Sequence, residues 1–347
     1  MTNALPIDVI IGVDTHKEVH AAAAISGAGA HLATTTVPAS KKGYGTLEAW
    51  AKSMGPVQAF GIEGTGSYGA GLSRFLQERG HTVIEVNRPN RQMRYQRGKG
   101  DTVDAESAAR AVLAGQAVGK PKSSTGAVEM IRHLKVARDT AVKARTQAMQ
   151  TLRAIIVCSP DALREQLDQV NGKITLLRRV AALRPGPLTS TLALAKASLR
   201  AIAQRWLLLD AEIKQHDAHL ETLTAARAPD LLEAHGMATG TAAEMLLLVG
   251  DNPERIHSEA AFAKLCGVCS IPTSSGKTIR HRLNRGGNRQ ANAALYQVVI
   301  VRMRGHQPTL DYVRRRTAEG KSNPKSSAAS NVTSLVRSSG ISASNEL

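Results

Sequence analysis

The feature that most constrains this chain is a short apolar run near its start that ends in a carboxylate. Residues 9–13 (VIIGV) are all apolar or glycine, over a length that predicts a buried β-strand rather than a helix. Asp14 follows directly. Because burying an unpaired charge costs several kcal/mol, Asp14 must lie at an open end of the sheet or hold a cation.

The pattern around this run predicts a mixed α/β domain. Residues 19–25 and 31–37 are typical of two further, hairpin-linked strands. The chain then alternates between a helix at 41–53, a strand at 57–62, a helix ending near Arg79 and a strand at 82–86. Glu63 follows the fourth strand directly, as Asp14 follows the first.

Two more carboxylates, Asp101 and Asp104, stand in the segment DTVDAESAARAVLAG. Residues three apart on an α-helix differ by only about 60° around its axis, so both side chains point the same way. One interpretation is structural: an Asp at the N-cap and an acid at N3 form a capping box that suits the helix dipole. The functional interpretation depends on the acids elsewhere.

That interpretation brings four acids together. Asp14 and Glu63 each end a strand of the same predicted sheet, and a helix packed at that edge would add Asp101 and Asp104. Four converging carboxylates repel one another unless a hard cation neutralises them, and Mg²⁺ takes this kind of oxygen site. Two such ions would activate a nucleophile and stabilise the leaving oxygen at a phosphodiester.

A glycine motif after the fourth strand offers a competing function. Gly64-Thr-Gly66-Ser-Tyr-Gly69 matches the GxGxxG fingerprint of dinucleotide-binding folds, and Glu85 follows 21 positions after Gly64. Against a dinucleotide site, Glu63 would place a negative charge beside the pyrophosphate, and three strands already precede the motif. The alternative is a glycine turn that lets another backbone or a phosphate approach Glu63.

The charge balance points to a polyanionic partner. The formal net charge is +17 and the sequence pI is about 10.2. Only 3% of residues are aromatic, which favours Arg and Lys contacts to phosphates over base stacking. An acid-free basic run precedes Asp101 and is more typical of a nucleic-acid contact than of a solvated helix face; it consists of Arg88, Arg91, Arg94, Arg97 and Lys99.

Other classes are disfavoured. The chain has no uncharged run of about 18 apolar residues that would span a membrane, and acids interrupt the N-terminal apolar run that a signal peptide would need. Cys266 and Cys269 form a CxxC, but no second pair completes a zinc site, so small buried thiols are the simpler interpretation. We expect a cytoplasmic protein.

The middle of the chain predicts long helices. Apolar residues at helical spacing cover 127–158 and 189–226, with a shorter helical stretch at 160–183 between them. An antiparallel helical hairpin with solvated charges accounts for this pattern. Further on, residues 236–240 (GMATG) separate two helical halves, either as a phosphate-binding hairpin or as an ordinary tight turn.

A second focal stretch lies at residues 270–278 (SIPTSSGKT). Its GKT triplet hints at a P-loop, but the first glycine of that motif would fall at Ile271, so the interpretation fails. What remains is an exposed loop with Ser274 and Ser275, and a lone loop serine usually has no chemical role. Basic residues follow closely: Lys277, Arg280, Arg282, Arg285 and Arg289.

Several motifs resemble those of the DEDD insertion-sequence transposases (the one-hundred-and-ten family). GVDTHKE, IEGTGSYG and KGDTVDAESAA are similar to the three acidic motifs of that family, whose first domain is similar to the RuvC Holliday-junction resolvases. The third motif is the most specific, because its Asp-x-x-Asp-Ala follows a basic run. The resemblance implies an RNase H-like domain in which Mg²⁺ is bound by Asp14, Glu63, Asp101 and Asp104.

The C-terminal part resembles the transposase domain of the same family. The matching segments are LCG at 265–267, SSGK at 274–277 and RGGNRQANAAL at 285–295. The resemblance implies that Ser275 is the nucleophile, which attacks a phosphodiester and leaves a covalent phosphoserine. It also implies that Asn288 and Arg289 flank the phosphate or line the wall of the active site.

The resemblance therefore implies a DNA transposase of three parts. These are an RNase H-like (RuvC-like) α/β domain at 1–118, a helical coiled-coil hairpin at 119–228 and a mostly α-helical transposase domain at 229–321. The implied partners are DNA and a structured guide RNA encoded by the element, and the implied assembly is a homo-oligomer, a dimer or tetramer. Two alternatives stay open: a RuvC-like hydrolytic junction-resolving endonuclease that uses only the acids, and a purely architectural binding protein.

The end of the chain departs from the family pattern. Family members continue into a basic, apolar helix, whereas residues 322–347 here are serine-rich and have no apolar face. We expect this tail to be disordered and to have arisen by a frameshift. Reading the gene in its other two frames would then reveal the missing helix.

Overall fold

The computed structural model describes residues 8–87, 98, 100–278 and 280–319. They divide into two units: the described residues up to Gly126 together with Val249–Ala261, and Ala127–Leu248 together with those from Phe262 onward. Two predictions lie outside the described residues. One concerns the tail at 322–347, and the other concerns the basic run of Arg88, Arg91, Arg94, Arg97 and Lys99.

Five strands form the sheet of the first unit: β1 (Val9–Thr15), β2 (Val19–Ser26), β3 (His31–Pro38), β4 (Val57–Glu63) and β5 (Val83–Val86). Their order in space is β3-β2-β1-β4-β5. The first three strands pair antiparallel, whereas β1, β4 and β5 run parallel. All five predicted strands are confirmed, and β1 is the strand at which the antiparallel and parallel parts meet.

Helices cover both faces of this sheet: α1 (Lys41–Ser53), α2 (Ala70–Glu78) and α3 (Asp101–Leu113). The odd-numbered residues of β1 pack with α1 and α2 in one apolar core that includes Val9, Ile11, Val13, Leu47, Leu72 and Leu76. On the other face, Ile10 packs against Ala109 of α3. Because side chains alternate along a strand, Asp14 lies on the face that α3 covers.

The other α-helices that the structure describes are α4 (Ala127–Val157), α5 (Asp161–Asp168), α6 (Lys173–Ala181), α7 (Thr191–Arg227), α8 (Pro229–Glu233), α9 (Thr239–Val249), α10 (Glu259–Leu265), α11 (Arg289–Arg302) and α12 (Gln307–Ala318). The single helical stretch predicted at 160–183 is wrong, because Gly172 before α6 has a φ of 90° that a continuous helix excludes. None of the helices that the structure describes combines the length and the apolar composition that a bilayer crossing requires.

The two longest helices, α4 and α7, pack side by side in opposite directions. Arg138 pairs with Asp217, and Arg145, seven residues later, pairs with Asp210. Residue numbers therefore increase along α4 as they decrease along α7, so the two helices are antiparallel. The contact is filled by an apolar core with Leu152, Leu199 and Trp206. Both predicted long helices are confirmed, although Met130, one of the apolar residues at helical spacing within 127–158, is 55% exposed.

Candidate metal centre and serine hairpin

Two strand glycines let α3 lie directly on the sheet. A Cβ on Gly12 of β1 would stand 1.9 Å from the carbonyl oxygen of Ala105, and a Cβ on Gly61 of β4 would stand 2.6 Å from Val112 Cγ2. Any side chain at Gly12 would therefore push the helix backbone away. The small residues bring the start of α3 close to the end of β1, where Asp14 stands.

The helix start differs from the capping-box interpretation. Gly100 is the N-cap of α3 and makes no side-chain capping bond, and Asp101 is the first helical residue. The backbone N–H of Asp104 donates to the carbonyl of Gly100 over 2.9 Å. The interpretation that places an Asp at the N-cap is therefore wrong, and both carboxylates stand in the first turn of the helix.

Two of the other predicted acids, Asp101 and Asp104, act electrostatically on Asp14. Asp14 is 9% exposed and Asp104 is 4% exposed, whereas the side chain of Asp101 is 61% exposed. Burial raises the pKa of Asp14, and the charges of Asp104 and Asp101 act in the same direction, while His16 opposes the rise. Because the ionised form of Asp14 is disfavoured here, a cation at this edge of the sheet would be stabilising.

His16 is the residue at this edge that the sequence interpretation missed. Its Nε2 lies 3.3 Å from Asp14 Oδ2 and 3.4 Å from Asp101 Oδ1. The three side chains offer ligand atoms that all lie within 4.8 Å of one another, a grouping that could hold a metal ion. The available signal was the Asp14-Thr-His16 spacing, because residues two apart in an extended chain share a side.

Glu63 stands at the end of β4, beside the end of β1. Val13 and Ile62 are partners in the parallel register, so Asp14 and Glu63 follow at neighbouring strand ends. The hydroxyl of Thr15 donates to the backbone carbonyl of Glu63 over 2.8 Å and ties the two ends together. Among the described residues, the group whose ligand atoms lie within 4.8 Å of one another consists of Asp14, His16 and Asp101. It does not include Glu63 or Asp104.

The glycine motif after β4 forms a turn. Gly64 has a φ of 70°, and its carbonyl accepts hydrogen bonds from two backbone N–H groups within the turn. Glu85, which would bind a ribose in a dinucleotide site, instead accepts a hydrogen bond of 3.0 Å from the hydroxyl of Thr65 and lies 3.8 Å from the guanidinium of Arg255. These contacts favour the glycine-turn interpretation.

The predicted serine loop is the tip of a β-hairpin, formed by β6 (Ser270–Pro272) and β7 (His281–Leu283). Ser275 and Thr278 exchange backbone hydrogen bonds of 3.1 and 3.0 Å, and the two residues between them make the turn. Gly276 is the first of the two, with a φ of 54° that suits glycine at this place in a two-residue hairpin. Ser274, Ser275 and Lys277 are all exposed.

The hairpin stands on a scaffold of backbone contacts. A Cβ on Gly287 would lie 2.3 Å from Gly267 Cα, so the LCG and RGGN segments touch backbone to backbone. Asn288 caps α11 by accepting from the N–H of Ala291. Burial raises the pKa of the Cys266 thiol to about 12, which fits the buried-thiol interpretation. The basic residues of the hairpin and the turn after it are exposed: Lys277, Arg280, Arg282, Arg285 and Arg289.

Comparison with known proteins assigns both regions to one family. Residues 11–157 match a family model of DEDD-type IS110 elements described as a transposase, and residues 228–314 match a model described as the transposase IS116/IS110/IS902 family. No curated protein sequence gives a match. The first match contains all four predicted acids, and the second contains Ser275. The chain therefore belongs to the IS110 family of DEDD transposases, enzymes that act on DNA.

Proposed function

We propose that this transposase cuts and rejoins DNA with Ser275 as nucleophile, aided by a divalent-metal site on an RNase H-like (RuvC-like) first domain at 1–118. The observation that carries the proposal is the convergence of Asp14, Asp104 and Asp101 where α3 meets the end of β1. The strand order is β3-β2-β1-β4-β5, with the antiparallel part of the sheet on one side of β1 and the parallel part on the other. β1 also carries the first acid, Asp14, and this arrangement supports the RNase H-like assignment.

The residues present fit a divalent cation. Asp14 is buried and its ionised form is disfavoured, so an ion with oxygen ligands would relieve both the burial and the repulsion from Asp104. The proposed ligands are Asp14, Glu63, Asp101 and Asp104, and the proposed ion is Mg²⁺. A bound ion would polarise a phosphodiester and stabilise charge on its leaving oxygen.

Ser275 supplies the covalent step. Its hydroxyl oxygen bonds to phosphorus as the bond from phosphorus to one deoxyribose oxygen breaks, the serine proton is released, and the departing oxygen takes up a proton to become a hydroxyl. Attack by a DNA hydroxyl on the phosphoserine reverses these changes, so rejoining needs no ATP. The exposure of the turn and of the neighbouring cations Lys277, Arg280 and Arg282 supports this role, because a phosphate needs both access and positive charge.

Substitution of the serine tests the proposal. Ser275→Ala should keep metal and DNA binding, lose strand cleavage and form no protein–DNA adduct that resists denaturant. Ser274→Ala is the matched control, one residue away and also exposed, and it should form the adduct. A Ser275→Ala protein that still nicks DNA would leave the hydrolytic junction-resolving endonuclease as the better description, and a wild-type protein without metal-dependent cleavage would favour the architectural alternative.

The helical region supports a second nucleic-acid surface. Residues 169–209 contain no Asp or Glu. Their basic side chains lie on α6, α7 and the segment between them, and all but the half-buried Lys196 are exposed: Lys173, Arg178, Arg179, Arg184, Lys196, Arg200 and Arg205. Such a surface attracts phosphates, and we propose that it holds the structured guide RNA that the family resemblance implies. Extraction and sequencing of RNA that copurifies with the protein tests this; charge-reversed surface variants should lose that RNA.

Exposed apolar residues on the long helices support the proposed coiled-coil assembly into a dimer or tetramer. Leu208 is 72% exposed and Val136 is 56% exposed, on helices whose other faces form the apolar core. Sedimentation equilibrium measures the assembly directly. Leu208→Glu should shift it toward the monomer, and a monomeric wild-type protein would contradict the proposal.

A further inference from the structure

We propose that His16 is a nitrogen ligand of the divalent ion that Asp14 and Asp101 hold, so that this position binds Mn²⁺ in preference to Mg²⁺. The inference rests on the proposed function, because it concerns the same acidic site. It adds a residue that is not one of the four acids and a preference that an all-carboxylate site would not have.

The spacing of the three side chains carries the proposal. His16 Nε2 lies 3.3 Å from the nearest oxygen of Asp14 and 3.4 Å from that of Asp101, and all three ligand atoms lie within 4.8 Å of one another. An octahedral ion with bonds of about 2.1 Å holds neighbouring ligand atoms about 3 Å apart and opposite ones about 4.2 Å apart. The two distances from His16 are therefore close to those between neighbouring ligand atoms of one ion.

An ordinary ion pair accounts for these distances less well. Charge-assisted hydrogen bonds from nitrogen to carboxylate are usually about 2.7–2.9 Å long. Both contacts of His16 are longer, and one nitrogen is shared almost equally between two carboxylates. A nitrogen placed evenly between two oxygens, at distances longer than a short charge-assisted hydrogen bond, leaves a spacing that a shared ion among the three atoms would fit.

The backbone holds His16 in this place. The residue follows β1 directly, and its N–H donates to the carbonyl of Val19 over 3.1 Å in the turn that leads into β2. Asp14 is fixed by burial, and Asp101 by its position in the first turn of α3. The imidazole therefore stands on a short turn between two paired strands, a rigid support of the kind that metal ligands need.

The chemistry of imidazole sets the ion preference. Mg²⁺ favours oxygen ligands and retains much of its water, whereas first-row transition ions accept imidazole nitrogen; Mn²⁺ binds most weakly among them and is the one that also suits carboxylate ligands. Removing the imidazole should weaken Mn²⁺ binding more than Mg²⁺ binding. If carboxylates alone hold the ion, removing the imidazole should leave both the Mn²⁺ affinity and the Mg²⁺ affinity unchanged.

Metal binding by the full-length protein tests this without relying on activity. Free Mn²⁺ is measured by electron paramagnetic resonance during titration, Mg²⁺ affinity by its displacement of Mn²⁺, and nitrogen ligation by hyperfine coupling in pulsed spectra of protein labelled with ¹⁵N-histidine. His16→Gln should abolish the strong nitrogen coupling and weaken Mn²⁺ binding at least about tenfold, with less than about threefold loss for Mg²⁺. His31→Gln is the matched control, an exposed histidine on β3, and should change neither quantity.

Three outcomes overturn the inference. They are wild-type spectra without nitrogen coupling, equal loss of Mn²⁺ and Mg²⁺ affinity in His16→Gln, and tighter Mn²⁺ binding in that variant, which would make His16 a cation that occupies the site. Asp14→Asn separates this failure from failure of the proposed function. If Asp14→Asn loses Mn²⁺ while His16→Gln does not, only the histidine assignment falls; if Asp14→Asn binds Mn²⁺ normally, the acidic metal site falls with it.

Discussion

The acidic centre and the serine hairpin of this transposase are built in opposite ways. The acidic centre depends on backbone packed against backbone, since Gly12 lets Ala105 of α3 approach to a distance that no side chain would permit. The serine hairpin has two strands of three residues each, and its turn is closed by two backbone hydrogen bonds between Ser275 and Thr278. Asp14 is buried, whereas Ser275 is exposed.

Under the proposed function, the difference follows from what each centre would hold. A metal ion needs ligands held within a few tenths of an ångström, and a closely packed helix on a sheet provides that rigidity. A nucleophile that meets a long polymer needs access, which an exposed turn provides at the expense of local stability. Substitutions in the two centres should therefore separate stability from chemistry.

The largest expected effect is on the chemistry of the acidic centre. Asp14→Asn removes a proposed metal ligand and should reduce metal-dependent DNA cleavage at least about 1000-fold. Its melting temperature should stay the same or rise, because burial already disfavours the charged form that the amide replaces. Cleavage assays and circular dichroism melts measure the two effects, with Asp8→Asn as the control, an exposed acid before the same strand. Cleavage that survives chelation of divalent metal would show that the site is misassigned.

The next largest effect tests the backbone packing itself. Gly12→Ala places a methyl group 1.9 Å from a helix carbonyl, so α3 must move, and the free energy of unfolding should fall by more than about 3 kcal/mol. Gly45→Ala is the control, because a Cβ at that position meets nothing within 4 Å. This substitution within α1 should raise the free energy of unfolding by about 0.5–1 kcal/mol. Denaturant titration measures both. Equal midpoints for Gly12→Ala and wild type would refute the close contact.

A glycine substitution in the hairpin should do much less. A Cβ on Gly276 meets nothing within 4 Å, so Gly276→Ala costs only the strain of its positive φ, about 1 kcal/mol. The hairpin amides should exchange with solvent about fivefold faster, while the global unfolding midpoint stays near that of wild type. Hydrogen exchange and denaturant titration together check this. If Gly276→Ala lowers the global free energy of unfolding as much as Gly12→Ala does, then the serine hairpin is as important for global stability as the packing of α3 on the sheet, and the contrast between the two centres is wrong.

The smallest effect concerns charge beside the hairpin. Arg282→Gln should lower the slope of log binding constant against log salt concentration by about 1, because one phosphate contact is lost. Arg132→Gln is the matched control, since that guanidinium is already paired with Glu129. Fluorescence anisotropy of a labelled duplex at several salt concentrations gives both slopes. An unchanged slope for Arg282→Gln would place the DNA elsewhere.

Most of the secondary structure and the candidate acids can be predicted from the order of residues alone. Strands β1 to β5 and helices α1, α4 and α7 follow from local periodicity, which depends only on neighbours along the chain. Asp14 and Glu63 stood out because a carboxylate at the end of an apolar run is costly to bury. The break at Gly172 was missed because a glycine is compatible with either a helix or a stop.

Which side chains meet depends on how distant segments pack in the fold. The residues next to His16 do not by themselves mark it as part of a site. Its contact with Asp101, 85 positions later in the chain, exists because α3 packs at the end of β1. The choice between a capping box and a first-turn pair of acids depended on Gly100 taking the N-cap. The hairpin under Ser275 depends on strands that pair across the turn. Each of these depends on contacts between segments distant in sequence, and such contacts leave no periodic signal along the chain.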